Sequence, residues 1–148
     1  MKINEQGLAN RAEWEAKGYD LPKFDRAAAI ANTKERPFWV HFGVGNLFRA
    51  FHCNIAQRLL NAGIIDTGIV GVEGFDYEIV EKMNRPHDDL SILVTLKADG
   101  NVEKTVIACL CTPTVFTQPS TVILRFCTCY KIRFRVVVIP TYDLYSVA

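Results

Sequence analysis

The sequence has no surplus of charge of either sign. Seventeen lysines and arginines stand against sixteen aspartates and glutamates, a formal net charge of +1. From that balance no general electrostatic pull toward nucleic acid or a membrane surface is expected. No apolar run is long enough to span a bilayer. The opening Met1-Lys2-Ile3-Asn4-Glu5-Gln6 is polar, with no apolar signal segment behind it. The expectation is a cytoplasmic location, where the five cysteines stay reduced. Zinc-ligand spacing is also missing. Cys109/Cys111 and Cys127/Cys129 are Cys-x-Cys pairs, whereas paired zinc ligands are usually separated by two or more residues. In a strand, Cys-x-Cys simply places two thiols on one face, and no metal is expected.

What is present is the composition of an ordinary globular chain. Of 148 residues, 49% are hydrophobic and 22% charged, enough for one domain with a real core. The most informative stretch is Pro37-Phe38-Trp39-Val40-His41-Phe42-Gly43-Val44-Gly45-Asn46-Leu47-Phe48-Arg49-Ala50. It reads as a buried strand (Phe38 to Phe42), a glycine turn, and the start of a helix. That is the local design of a dinucleotide-binding site. Gly43 lets the chain turn sharply, and Gly45 has no side chain to block a pyrophosphate. The N–H groups of Val44, Asn46, Leu47 and Phe48 then approach the helix start, where the dipole favours an anion. The third glycine of the full fingerprint is lacking, because Phe48 stands in its place. His41, inside the apolar run, reads as a packed or backbone-bonded residue. Arg49 lies in the first helical turn, where the dipole disfavours a cation. A nearby anion would account for it, and so would a solvated surface position.

The rest of the chain supports an α/β arrangement. Residues 1–36 read as an N-terminal extension lying against the first strand. It holds one short helix over Leu8 to Lys17, with Leu8, Ala12 and Trp14 apolar, and a second over Arg26 to Thr33 capped by Asp25. Asn46 to Asn61 is expected to be a helix whose apolar stripe is Leu47, Phe51, Ile55 and Leu59, widened by Phe48. Asn54, Gln57 and Asn61 lie off that stripe, and Gly63 ends the helix. Thr67 to Glu73 is a second strand, followed by Asp76 and Glu78. An acid just past the second strand of a dinucleotide fold accepts hydrogen bonds from the ribose hydroxyls. It also repels a 2′-phosphate, favouring NAD over NADP. Glu73 and Asp76 are both candidates, and Asp76 could equally cap a helix over Tyr77 to Met83. Leu90 to Leu96 and Val102 to Leu110 form a hairpin around Asp99-Gly100. The hairpin implies a mixed sheet.

Several separate segments together resemble the polyol-specific long-chain dehydrogenases, the family of mannitol dehydrogenases and the fructuronate and tagaturonate reductases. They are Leu21-Pro22-Lys23-Phe24-Asp25-Arg26, the stretch Trp39 to Phe51, Asp66 to Glu73 with Phe75-Asp76-Tyr77-Glu78, and Glu103 to Ala108. Gly43, Gly45, Arg49 and Ala50 match the family's cofactor motif. Phe48 departs from the mannitol-dehydrogenase branch, which usually has histidine there, and the match leans toward the uronate reductases. The resemblance implies an α/β Rossmann-like nucleotide-binding domain with a mixed sheet, incomplete relative to the double mononucleotide unit. It also implies NAD as cofactor and a sugar acid or polyol as substrate once a C-terminal domain is supplied. The family's catalytic Lys-x4-Asn-x2-His lies in that further domain. None of the lysines here has Asn and His at that spacing, so no catalytic residue is assigned.

The resemblance runs from about Leu21 to Ala108. Residues 37–108 are thus expected to form the Rossmann-like core, and residues 109–148 an atypical tail. Asp143 is the tail's one acid, against Arg125, Lys131, Arg133 and Arg135. Two readings of the tail stand side by side. It is translated out of frame from a disrupted gene, or it supplies extra strands over Val122 to Phe126 and Phe134 to Ile139, both rich in β-branched residues. Sequencing the coding DNA across Ala108 to Thr114 separates them. If another frame continues the family sequence, the tail is an artefact; if none does, the frameshift reading is wrong.

Overall fold

In the computed structural model, residues 1–74, 76–115 and 136–138 are described, with backbone pairing alone for 112–115 and 136–138. Phe75, the segment Val122 to Phe126, Cys127 and Cys129 lie outside the described residues.

Among the described residues the strands form two sheets. One is four-stranded and wholly parallel, built from β2 (Trp39–Phe42), β3 (Ile69–Glu73), β6 (Leu110–Val115) and β7 (Val136–Val138). Its order is β6-β3-β2-β7, which is the 3-2-1-4 order of a dinucleotide-binding unit. Among the described residues β6 is an edge strand, and Pro113 falls in it, where a missing N–H is tolerated. The other sheet joins β1 (Tyr19–Asp20), β4 (Ser91–Leu96) and β5 (Val102–Ile107) in the order β1-β5-β4. Here β1 pairs in parallel with β5, and β4 pairs antiparallel with β5. The fold is therefore α/β with a mixed sheet, the mixing being confined to this smaller sheet. Gly100, at φ +84°, turns the β4–β5 hairpin.

The N-terminal residues form two short helices, α1 (Glu5–Leu8) and α2 (Arg11–Ala16), rather than the single helix expected over Leu8 to Lys17. Asn4 caps the first, its side chain accepting from the Gly7 N–H at 2.8 Å. Trp14 then packs with Leu21 and Val106, so the extension is tied to β5. Helix α3 (Arg26–Glu35) starts at Asp25, whose carboxylate accepts from the Ala28 N–H at 3.0 Å.

After β2 the chain enters a π-helical segment, Phe48–His52, which runs on into α4 (Cys53–Asn61). The buried face is not the one its apolar stripe indicates. Leu47, Phe51 and Ile55 are 72%, 62% and 52% exposed, whereas Phe48, Cys53, Ala56, Gln57 and Leu60 are buried. Two causes are visible. The wide π turn changes the phase of the residues after it, and small Cys53 and Ala56 let the helix approach the sheet closely. Gln57 then pairs with free backbone at the end of β5, donating to Val106 O and accepting from the Ala108 N–H, both at 2.6 Å. A buried backbone group left unpaired would cost ~1–3 kcal/mol.

This phasing has a direct consequence for stability. Phe48→Ala should destabilise the chain by about 3–5 kcal/mol through a core cavity. Phe51→Ala should stay within about 0.5 kcal/mol. Urea unfolding of both variants measures the difference, and equal losses would mean that the helix buries its Leu47/Phe51/Ile55 stripe after all.

Candidate cofactor site

The glycine turn stands at the C-terminal end of β2, the strand flanked by β3 on one side and β7 on the other. In open α/β sheets this is the crevice where strand order reverses and ligands bind. Gly43 adopts φ +87°, a conformation that suits glycine. Its N–H donates to Val72 O at 2.7 Å, extending the β2–β3 ladder by one residue. His41 braces the turn from below. Its Nδ1 lies 2.8 Å from Gly43 O, and its ring packs on Phe48 with centroids 4.3 Å apart. Burial pushes the His41 pKa down to about 4, so the ring is neutral near pH 7 and Nδ1–H is the donor.

Val44 is fully buried. Opposite it, Gly71 leaves the room that Val44 fills: a Cβ on Gly71 would lie 2.6 Å from Val44 Cγ1. Gly45 is different in kind. No heavy atom lies within 4 Å of where its Cβ would be, so the backbone there faces open space. The Gly45 carbonyl accepts from the Arg49 N–H at 3.1 Å and so begins the helix. Asn46 and Leu47 are exposed. The Asn46 side chain accepts from the Arg49 guanidinium at 2.6 Å, keeping the cation at the helix start, where partial burial lowers its pKa. Asn46 and Arg49 also line a cavity of about 410 Å³ together with Met83, His87 and Ile92. Phe48 stands apart from these residues. Its side chain is in the core against His41, which leaves only its backbone for a ligand.

The two acidic candidates are placed differently. Glu73, at the end of β3, is 6% exposed. Its carboxylate accepts from the Val44 N–H at 2.9 Å, the Gly74 N–H at 3.1 Å and the Asp76 N–H at 3.2 Å. Asp76 is exposed. Its carbonyl accepts from the Ile79 N–H at 3.3 Å, at the head of a helical segment that becomes a π turn over Ile79–Asn84. The sequence pattern did not signal that Glu73 reaches back to the glycine turn. The contact depends on β2 and β3 pairing in register, Phe42 opposite Val72.

The cysteines that precede and enter β6 behave as core residues. Cys109 Sγ donates to Cys53 O at 3.0 Å, and Cys111 Sγ to Cys109 O at 3.4 Å. Burial pushes both thiols up, which disfavours the thiolate that a metal or a nucleophilic role requires. Among the described residues no group of three or more His, Cys, Asp or Glu is placed to hold a metal.

A parallel sheet in 3-2-1-4 order, with a glycine turn at its switch point, defines the first half of a dinucleotide-binding fold. No family model matches the chain. It is 49% identical over 108 residues, 73% of its length, to D-mannonate oxidoreductase of Thermotoga maritima, and spans 20% of that protein. In fold it resembles mannitol 2-dehydrogenase of Pseudomonas fluorescens, solved as a ternary complex with NAD and D-mannitol. That match has a TM-score of 0.70 and 24% identity, and covers 94% of this chain and 27% of the other. A D-sorbitol dehydrogenase solved in substrate-free form gives a TM-score of 0.67 at 24% identity, covering 93% and 26%. The two solved dehydrogenases share the fold of this chain, and the sequence match is to one part of D-mannonate oxidoreductase. The chain spans about a fifth of the length of the curated relative it matches.

The brace under the turn predicts a pH dependence. The ordinary histidine pKa is 6.5, and folding lowers that of His41 to about 4. As pH falls from 6.5 toward 4, the unfolded chain takes up a proton that the folded chain refuses, so stability is lost. Asp89 acts in the opposite sense. Burial raises its pKa from 3.8 to about 6, and its Oδ1 has no hydrogen-bond partner. The folded chain therefore binds that proton first, and stability is gained as pH falls through about 6. The two effects offset each other in the wild-type chain. Asp89→Asn should expose the histidine alone, with about 2 kcal/mol lost between pH 6.5 and 4.5. Urea titrations at the two pH values check this; equal pH slopes for variant and wild type would show that the two groups do not oppose each other.

Proposed function

We propose that this chain is the cofactor-binding part of an NAD-dependent oxidoreductase acting on a sugar acid or polyol, of the fructuronate/mannonate type. The observation that carries this reading is the open backbone at Gly45 at the end of the central parallel strand. A pyrophosphate needs N–H groups that no side chain shields, at a helix start, and the turn from Gly45 through Asn46 to Leu47 presents that arrangement. Arg49, held by Asn46, is the cation beside it. The names of the curated relative and of the structurally similar dehydrogenases support the substrate class. A bound nicotinamide would supply hydride transfer to or from the substrate carbon. The residues here bind and orient the dinucleotide, and none of them is assigned to polarise the substrate oxygen. Turnover on a sugar acid or polyol would then need residues outside this chain. A cytoplasmic setting fits the cofactor, and no helix among the described residues is long and apolar enough to cross a membrane.

The change in composition after Ala108, with Asp143 the one acid of the tail against Arg125, Lys131, Arg133 and Arg135, favours a second reading, a nucleotide-binding fragment or inactive product of a disrupted gene. Titration of the purified chain with NADH, followed by fluorescence, tests the shared premise. Gly45→Asp is a clean control, because its side chain enters open space and leaves the fold unstrained. The wild type should bind, and the added carboxylate should weaken binding about ten-fold or more through repulsion of the diphosphate. A folded wild type that does not bind NADH would reduce the resemblance to shared ancestry. Binding without turnover of mannonate is the expected result for the chain alone on either reading.

A further inference from the structure

We infer that Glu73 is a positioning residue that ties the glycine turn to the acidic loop after β3, and that the cofactor ribose is left to Asp76. The cofactor half of this inference rests on the proposed function; the half concerning the turn does not. Glu73 stands where a ribose-binding acid is expected, but its carboxylate is turned inward and 6% of the residue is exposed. One oxygen, Oε2, accepts from the Val44 N–H. The other, Oε1, accepts from the N–H groups of Gly74 and Asp76. Both oxygens are thus engaged by backbone from two segments separated by about thirty residues of chain. Charge-assisted bonds to a carboxylate are about twice as strong as neutral ones. A group held in this way serves as an internal anion.

Two consequences follow from the geometry. Val44, the first N–H after Gly43, is already bonded to a carboxylate, so a diphosphate is met by the N–H groups from Gly45 onward. Asp76 is the exposed acid of the loop, and Glu73 fixes its position through its main-chain N–H. One buried carboxylate therefore sets the spacing between the phosphate-binding turn and the acid that discriminates the ribose.

Glu73→Gln tests this with almost no change in volume. An amide can present one oxygen, so either the Val44 pair or the Gly74/Asp76 pair must face an NH2 group. In the nucleotide-free chain, hydrogen exchange at the Val44 amide, or at the Gly74 and Asp76 amides if the oxygen stays on Val44, should accelerate roughly ten-fold or more. Core amides such as Val40 and Ile69 should change by less than about two-fold, which a general loss of stability would not give. NADH and NADPH affinities should fall by the same factor. Asp76→Asn should leave Val44 exchange unchanged and reduce the preference for NADH over NADPH. The wild-type chain provides a reading that needs no variant: a coupling across the hydrogen bond between Val44 15N and Glu73 13Cδ. Unchanged exchange at all three of Val44, Gly74 and Asp76 in Glu73→Gln, or absence of that coupling, would overturn the positioning role. A shifted NADH/NADPH ratio in Glu73→Gln with an unchanged ratio in Asp76→Asn would return the ribose to Glu73. If wild type binds neither nucleotide, the proposed function fails, while exchange and coupling still decide the role of Glu73 in the turn.

Discussion

The structure depends on a close approach between Val44 and Gly71. The strands Trp39–Phe42 and Ile69–Glu73 pair in parallel with His41 opposite Gly71, and Val44 comes back over that glycine as the chain turns. Any Cβ at Gly71 would meet Val44 Cγ1 at 2.6 Å and Leu110 Cδ1 at 3.0 Å, so the buried Val44 side chain would have to shift from its place. With hydrogen there instead, Val44 is fully buried and the turn lies flat against the sheet. That placement brings the Val44 N–H to the end of β3 and leaves the Gly45 backbone facing outward. The open site is a product of tight packing one residue earlier.

Polar contacts tie the helices to the sheets and to the connections between strands. Gln57 reaches from the helix to both sides of the β5 end. Arg26 donates to Ala108 O at 3.1 Å and to Asp88 O at 2.5 Å, and also pairs with Glu5. Thr33 accepts from the Gly68 N–H at 2.8 Å while donating to Ala29 O at 2.6 Å. The Gln57 and Thr33 contacts satisfy buried backbone, as buried N–H and C=O groups require. Because Gln57 must face inward to do this, the helix turns Leu47, Phe51 and Ile55 outward. Hydrogen-bond demand and close packing outweigh the apolar stripe.

The neutral histidine under the turn and the buried carboxylate at its side divide the local electrostatics. His41 gives the turn a donor without adding charge beneath it. Glu73 contributes charge, but backbone N–H groups engage it from both segments. Neither residue needs to touch a cofactor to decide whether the turn can receive one.

Much of this was legible in the residues themselves. The strand–glycine–helix order of Trp39 to Ala50, the Asp25 cap and the Asp99-Gly100 hairpin follow from local chemistry: the freedom of glycine, the reach of a short carboxylate, and two-residue periodicity. The family resemblance was carried by Leu21 to Arg26, Trp39 to Phe51, Asp66 to Glu78 and Glu103 to Ala108. Tertiary structure alone decided which face of the helix is buried, which acid turns inward, and that the hairpin joins β1 in a sheet of its own. Periodicity reports that a face is apolar; the π turn and the pairing needs of distant backbone choose which side meets the sheet. Glu73 and Asp76 are equivalent as letters. They differ because parallel pairing sets one carboxylate beside the Val44 N–H and leaves the other at the surface.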